Sequence, residues 1–134
     1  MFKEAESKVK HRNRCRQLID FKSLQDGKMM PTDVDGMMEF KNKAYVFFEL
    51  KYEGAYMPTG QRIALERLVN DTAKAGKKSI CFFAYHNQKN YLDSIDAGNS
   101  IVQSCFYEGK WQKVEGNLTL RDCTNEFLKE FMEV

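Results

Sequence analysis

The sequence lacks most of the features that mark membrane, secreted or zinc-binding proteins. Its longest apolar runs, residues 45–48 and 80–85, are far shorter than the roughly 20 residues that cross a bilayer. The four cysteines are Cys15, Cys81, Cys105 and Cys123. No two of them form a C-x-x-C pair, which favours free thiols over zinc ligation. The charged start, residues 1–6, does not fit a secretory signal, so we expect a cytoplasmic protein that is not secreted.

The composition is that of an ordinary globular protein. Hydrophobic residues make up 43% and charged residues 30% of the 134 positions, and there is no repeat or low-complexity tract. A chain of this length is long enough to bury a sizeable core. We therefore predict a single domain over residues 1–134.

Positive charge is concentrated at the start of the chain. Residues 1–16 carry six lysines and arginines against two glutamates, a net of +4, whereas the whole chain carries only +2. Such a segment is suited to holding a polyanion, although a solvated helix face is the alternative. The predicted nucleic-acid contacts are Lys8, Lys10, Arg12, Arg14 and Arg16.

The first half of the sequence predicts a helix followed by strands. Good helix formers without glycine or proline predict a helix over about residues 3–16. Residues 18–24 are expected to be extended, and Asp26-Gly27 is a turn signal. Strands are predicted over residues 33–40 and 44–51, joined by a tight turn at 41–43, which suggests an antiparallel meander.

A second helix is predicted to follow the loop that contains Pro58. It begins at Thr59 or Gly60 and extends to Ala75, because Gly76 is a typical helix stop. Residues three or four positions apart share a helix face. The face expected to pack on the sheet contains Gln61, Leu65, Leu68 and Thr72.

The remaining signals complete an α/β fold. Residues 79–85 are apolar on both sides and predict a central strand, and the polar residues 87–100 predict a loop or short helix. A hairpin over 101–107 and 111–114 and a helix over 120–132 end the chain. The predicted core therefore has the order α-β-β-β-α-β with a mixed sheet, followed by a β-hairpin and a helix.

Two charged residues lie close together on the clearest predicted strand. Side chains alternate along a strand, so Glu49 and Lys51 share one face while Phe48 and Leu50 point to the other. Burying charge is unfavourable unless the charge is paired or binds a metal. An exposed ion pair between Glu49 and Lys51 is the simple alternative.

Phosphodiester hydrolysis would explain this pair of charges. The reaction needs a hard divalent cation held by oxygen atoms, an activated water and positive charge near the developing oxyanion. We predict Mg²⁺ or Mn²⁺ held by Asp35, Glu49 and the backbone carbonyl of Leu50. Lys51 would orient the water and stabilise charge, and Gln61 would position these groups unless it only caps its helix.

The same residues carry a resemblance to a nuclease family. An acidic residue, a strand–turn–strand and the triplet Glu49-Leu50-Lys51, followed by Gly60-Gln61-Arg62, Leu65 and Leu68, resemble the PD-(D/E)XK nuclease superfamily. The segment is similar to the virus-type replication-repair nuclease (VRR-NUC) branch and to archaeal-type Holliday junction resolvases. The resemblance covers about residues 1–86 and implies a restriction-endonuclease-like core there, with residues 87–134 as an extension.

The resemblance also implies a role for each motif residue. Asp35 and Glu49 would be the Mg²⁺ ligands, Lys51 the catalytic lysine and Gln61 the accessory glutamine. A glutamate of the first helix often joins such sites, and the available positions are Glu4 and Glu6.

The chain departs from the family pattern in its first acidic motif. The usual Pro-Asp pair is replaced by Pro31-Thr32-Asp33, and a second acid follows at Asp35. We prefer Asp35 as the main ligand, because its distance in sequence to Glu49 fits the usual hairpin better. Asp33 is the alternative or a second ligand.

These expectations predict a Mg²⁺-dependent DNA endonuclease that acts on branched DNA in recombination or repair. The resemblance implies a homodimer in the cytoplasm of a bacterial or phage-infected cell, with DNA as its partner and no membrane association. The alternative is a module on the same fold that binds nucleic acid without cleaving it, or that acts against a host defence complex.

Overall fold

The computed structural model of the chain describes residues 19–132. The chain divides into two compact units after Pro31. The predicted first helix, over about residues 3–16, lies outside the described residues. The prediction of a single domain stays a prediction.

The described part of the first unit contains two short turns. The extended segment expected over residues 18–24 is wrong for Lys22–Leu24, which form a 3₁₀ turn. The backbone N–H of Lys22 donates a 2.9 Å hydrogen bond to Oδ1 of Asp20, and such local bonds compete with extended structure. The turn predicted at Asp26-Gly27 is confirmed, because Asp26 and Met29 exchange two backbone hydrogen bonds of 2.9 Å.

Within residues 32–132, the second unit contains a five-stranded mixed sheet and two α-helices. In chain order the elements are β1 (Gly36–Phe40), β2 (Ala44–Tyr52), α1 (Thr59–Lys74), β3 (Lys78–His86), β4 (Ile101–Tyr107), β5 (Lys110–Lys113) and α2 (Leu120–Met132). The strands lie side by side in this order; β2 and β3 are parallel, and the other neighbours are antiparallel. The predicted α/β class with a mixed central sheet, a hairpin and a last helix is confirmed.

The number of strands before α1 differs from the prediction. Two strands rather than three precede α1 in the described residues, so the expected meander is reduced to the β1–β2 hairpin. The tight turn of this hairpin is confirmed, with positive φ angles of 49° at Lys41 and 60° at Asn42. The restriction-endonuclease-like arrangement is not confirmed by this order.

The two helices cover opposite faces of the sheet. The cluster on the α2 side contains Ala44, Val46, Ile80, Phe82, Ala84, Val102, Leu120 and Leu128. The cluster on the α1 side contains Phe47, Leu65, Val69, Cys81 and Phe106. Because β3 contributes to both clusters, its prediction as a central strand is confirmed.

The buried face of α1 differs by one position from the prediction. Leu65 and Val69 are buried, whereas Leu68 keeps 38% of its surface exposed. Gln61, Leu65 and Val69 are spaced by four residues, so Gln61 begins the face that packs on the sheet. The first turn of α1 therefore directs Gln61 toward β2.

Gly36 packs against the ring of Phe48, its partner across the β1–β2 pair. A β-carbon at Gly36 would overlap that ring, and Phe48 is itself packed against the core. We expect Gly36→Ala to lower the free energy of unfolding by about 1–3 kcal/mol, measured by urea denaturation. Gly60→Ala is the matched control. Gly60 lies in α1, and a β-carbon at this position meets nothing within 4 Å. Equal stability of the two variants would contradict the expected overlap.

Candidate active site

Glu49 is buried near the end of β2. Only 1% of its surface is exposed. Phe47, two residues earlier on the same face, packs in the cluster on the α1 side. Glu49 and the half-buried Lys51 therefore both point to the α1 side of the sheet. The burial of Glu49 does not fit the alternative of an exposed ion pair.

Asp35 lies immediately before β1 and across from Glu49. Gly36 faces Phe48 in the antiparallel pair, so the next step along the pair brings Asp35 opposite Glu49. Oδ2 of Asp35 accepts a 2.7 Å hydrogen bond from the backbone N–H of Leu50. The predicted strand 33–40 begins only at Gly36. The side chain of Asp35 accepts the hydrogen bond from the Leu50 N–H of β2, so this N–H does not pair with the backbone of a longer β1.

Gln61 reaches the same place from the first turn of α1. Its Nε2 donates hydrogen bonds to Oε2 of Glu49 and to the backbone carbonyl of Asp33, the latter at 3.2 Å. Its Oε1 is buried and has no partner among the described residues. The N-cap of α1 is Pro58, with no side-chain cap bond, so Gln61 does not act as the helix cap.

Burial raises the pKa of Glu49 from its usual 4.5 to about 8. The hydrogen bond and the negative charge of Asp35 add to this effect, Lys51 opposes it, and Asp33 contributes a smaller repulsion. A carboxyl with this pKa is largely protonated at neutral pH and can donate its proton to Asp35. Strongly shifted carboxyls of this kind are concentrated at functional sites.

The oxygen atoms gathered at this place are of the type that could hold a Mg²⁺ ion. Mg²⁺ is usually held by one or two protein carboxylates, and water and substrate phosphate complete its shell. Asp35, together with a deprotonated Glu49, would supply two adjacent carboxylates. The N–H and C=O of a strand residue point to the same edge, so the carbonyl of Leu50 is directed to the side where Asp35 lies. A cation would offset the repulsion between Asp35 and a deprotonated Glu49.

The remaining predicted ligands are not brought together with this pair. In the part of the chain that the structure describes, no three His, Cys, Asp or Glu side chains form a metal-ligand group. Asp33 has an exposed side chain and contributes its backbone carbonyl to Gln61. Several predicted residues lie outside the described range: Glu4, Glu6, Lys8, Lys10, Arg12, Arg14 and Arg16.

One feature of the same end of the sheet was missed by the sequence interpretation. A cavity of about 630 Å³ is lined by Tyr52, His86 and residues of the loop after β3. The sequence signal for this cavity is the run Asn87-Gln88-Lys89-Asn90-Tyr91, which is rich in amide side chains and ends in an aromatic one. As a secondary-structure signal, the run predicts only a loop.

Comparisons of the chain with protein-family models, curated proteins and solved structures found no match. The resemblance to PD-(D/E)XK nucleases therefore rests on the motif residues and stays a prediction. No helix among residues 19–132 is both long enough and apolar enough to span a membrane.

Proposed function

We propose that this chain is a Mg²⁺-dependent DNA endonuclease that hydrolyses phosphodiester bonds in branched or recombination DNA. One observation carries the proposal: Asp35 lies opposite the buried Glu49, Gln61 donates a hydrogen bond to it, and Lys51 lies on the same face of β2. A buried, deprotonated Glu49 beside Asp35 is unfavourable in the absence of a cation. A cation-dependent reaction is the function that best accounts for this arrangement.

Each residue has a distinct role in the proposed reaction. Asp35 and Glu49 would hold Mg²⁺, with the carbonyl of Leu50 as a further oxygen ligand. Mg²⁺, if bound there, would supply Lewis acidity that polarises a phosphoryl oxygen and helps to activate a water. Gln61 fixes the Glu49 carboxyl through its Nε2, and Lys51 presents its ammonium to the negative charge that develops on the phosphate.

The first test of this proposal is Lys51→Ala. We expect cleavage of a labelled four-way junction with Mg²⁺ to fall by roughly 100-fold or more, because one charge-stabilising group is removed. The carboxylates remain, so cation binding should be retained. Lys43→Ala, in the exposed β1–β2 turn, is the matched control and should cleave like the wild type. Undiminished cleavage by Lys51→Ala would rule out the proposed role of the lysine.

The substrate and assembly parts of the proposal are tested with the same material. A nuclease for branched DNA should cleave the four-way junction faster than a linear duplex of the same sequence. A homodimer would present two sites related by two-fold symmetry to two strands of the junction. Equal cleavage rates on both substrates would contradict the preference for branched DNA. Light scattering that shows a monomer at micromolar concentration would contradict the homodimer.

A second candidate function is a module that binds nucleic acid, or a host defence complex, without cleaving DNA. Two observations favour it. Only two carboxyl side chains come together among the described residues, and the pKa of Glu49 is raised to about 8. Tight DNA binding without Mg²⁺- or Mn²⁺-dependent cleavage of any substrate would favour this function over the nuclease.

A further inference from the structure

A cavity of about 630 Å³ opens where the parallel strands β2 and β3 end. Its lining includes Tyr52, His86, Gln88, Asn90, Tyr91 and Ile95. Tyr52 and His86 are partners across the two strands and are their last residues. The crevice beyond the carboxyl ends of parallel strands is the usual ligand-binding place in α/β sheets, and the volume suits a small ligand.

Three aromatic rings, those of Tyr52, His86 and Tyr91, line this cavity. The rings of Tyr52 and His86 meet edge to face, with centroids 5.8 Å apart and an interplanar angle of 77°. Tyr91 is fully exposed, at 101% of its reference surface. An aromatic ring that is not covered by its own protein is available to stack on a planar ligand, and nucleobases stack well on such rings.

Hydrogen bonds hold the rim of the cavity in place. The backbone N–H of Gln88 donates to Nδ1 of His86 at 3.1 Å, so a neutral His86 carries its proton on Nε2. The backbone N–H of Asn90 donates to Oε1 of Gln88, and that of Leu92 donates to Oδ1 of Asn90, both at 3.0 Å. These bonds leave the Nε2–H of His86 and the Nδ2 of Asn90 as donors for the polar edge of a base.

The charges around the cavity favour a base over a phosphate. Lys89 and Asp93, which both line it, cancel each other. An adjoining cavity of about 440 Å³ shares His86 and Gln88 with the first and adds the acidic side chains of Glu53 and Asp96. A phosphate would be repelled by these carboxylates, whereas a neutral base would not.

The positions of Lys51 and Tyr52 connect this cavity with the carboxylate site. They are consecutive in β2, so Lys51 points to the α1 side and Tyr52 to the α2 side of the sheet. A nucleic-acid strand that crosses the end of the sheet can therefore meet both. We propose that this cavity binds one unpaired nucleobase of the DNA strand whose phosphate lies near Lys51. The inference rests on the proposed function, since a base is expected only if the chain acts on nucleic acid.

The test is binding of a short single-stranded DNA that contains 2-aminopurine, in EDTA so that no cleavage occurs. We expect Tyr91→Ala to weaken binding by roughly 5- to 100-fold and to abolish the quenching that stacking causes, whereas Tyr91→Phe retains both. Tyr56→Ala is the matched control, because Tyr56 is also highly exposed, at 83%, and lies outside this cavity. The wild type should bind single strands more tightly than the matching duplex.

A second ligand shows whether the cavity binds a free base or only a base within a DNA strand. Binding of deoxyadenosine, which carries no phosphate, that is lost in Tyr91→Ala would support the cavity as a base site that does not need a longer strand. Equal affinities of Tyr91→Ala and Tyr56→Ala for both ligands would overturn the inference. Because the assay contains no divalent ion, its failure is distinct from a failure of the proposed nuclease, which is judged by cleavage with Lys51→Ala.

Discussion

Glu49→Gln is expected to remove DNA cleavage and, at the same time, to stabilise the metal-free protein near pH 8. Cleavage should fall by on the order of 1,000-fold, because a neutral amide replaces a carboxylate ligand. The fold should tolerate the change, since the amide oxygen of the new side chain can accept from Gln61 and its nitrogen can donate to Asp35. Loss of activity with a gain of stability is the signature of a residue kept for function.

The gain in stability follows from the pKa of Glu49, which folding raises from 4.5 to about 8. Between these pH values the folded protein binds more protons than the unfolded chain, so the free energy of unfolding falls as the pH rises. The loss is complete above about pH 8 and absent below pH 4.5, and amounts to a few kcal/mol. A glutamine at this position does not titrate, so the variant should lose less stability over this window, measured by urea unfolding in EDTA at pH 5, 7 and 8.5.

Glu39→Gln is the control for this substitution. Glu39 lies on the neighbouring strand β1, is exposed, and accepts a 2.7 Å hydrogen bond from the backbone N–H of Asn42, which a glutamine can also accept. We expect this variant to keep both the wild-type cleavage and the wild-type pH dependence of stability. A Glu49→Gln protein that is less stable than the wild type at pH 8.5 would show that the buried carboxylate is not under electrostatic stress.

The second large effect is expected from Asp35→Asn compared with Asp33→Asn. Mg²⁺ at 100 times its Kd should raise the melting temperature of the wild type by roughly 10 °C, and Asp35→Asn should abolish this gain. Asp33→Asn should keep most of it, because the contact of Asp33 with Gln61 is made by its backbone carbonyl. Differential scanning fluorimetry with and without Mg²⁺ measures the difference.

Cleavage should follow the same order as the thermal shift. We expect Asp35→Asn to lose on the order of 1,000-fold and Asp33→Asn only a few-fold. The asparagine at position 35 can still accept from the N–H of Leu50, so the local fold is kept and the loss reports on the charge. The reverse order, with Asp33→Asn the more damaged variant, would assign the ligand role to Asp33.

Much of the fold could be predicted because its signals are local. The apolar residues of β2 and β3, the glycine after α1 and the hairpin turn each specify their element within a few positions, and α2 spans the predicted residues 120–132. Glu49, Lys51 and Gln61 were placed by the same reasoning. Side-chain alternation fixes the face of the first two, and helix start signals fix the third.

The errors arise where side chains compete with the backbone. Asp20 bonds to the N–H of Lys22 and turns a segment that its apolar residues predict to be extended. Asp35 takes the N–H of Leu50, so β1 begins only after it, at Gly36. These bonds depend on distances and angles that sequence spacing does not contain. The cavity is harder still to predict from the sequence, because it forms from the ends of two parallel strands and a loop.

The alternation along β2 also restricts how this protein can vary during evolution. Glu49 and Lys51 belong to one face, and Leu50 and Tyr52 to the other. Inserting or deleting a single residue earlier in β2 would exchange the two faces and turn the carboxylate and the ammonium toward α2. A change of two residues would preserve the faces. Related chains with an altered β2 length are therefore expected to differ by an even number of residues, while the loops at both ends can vary freely.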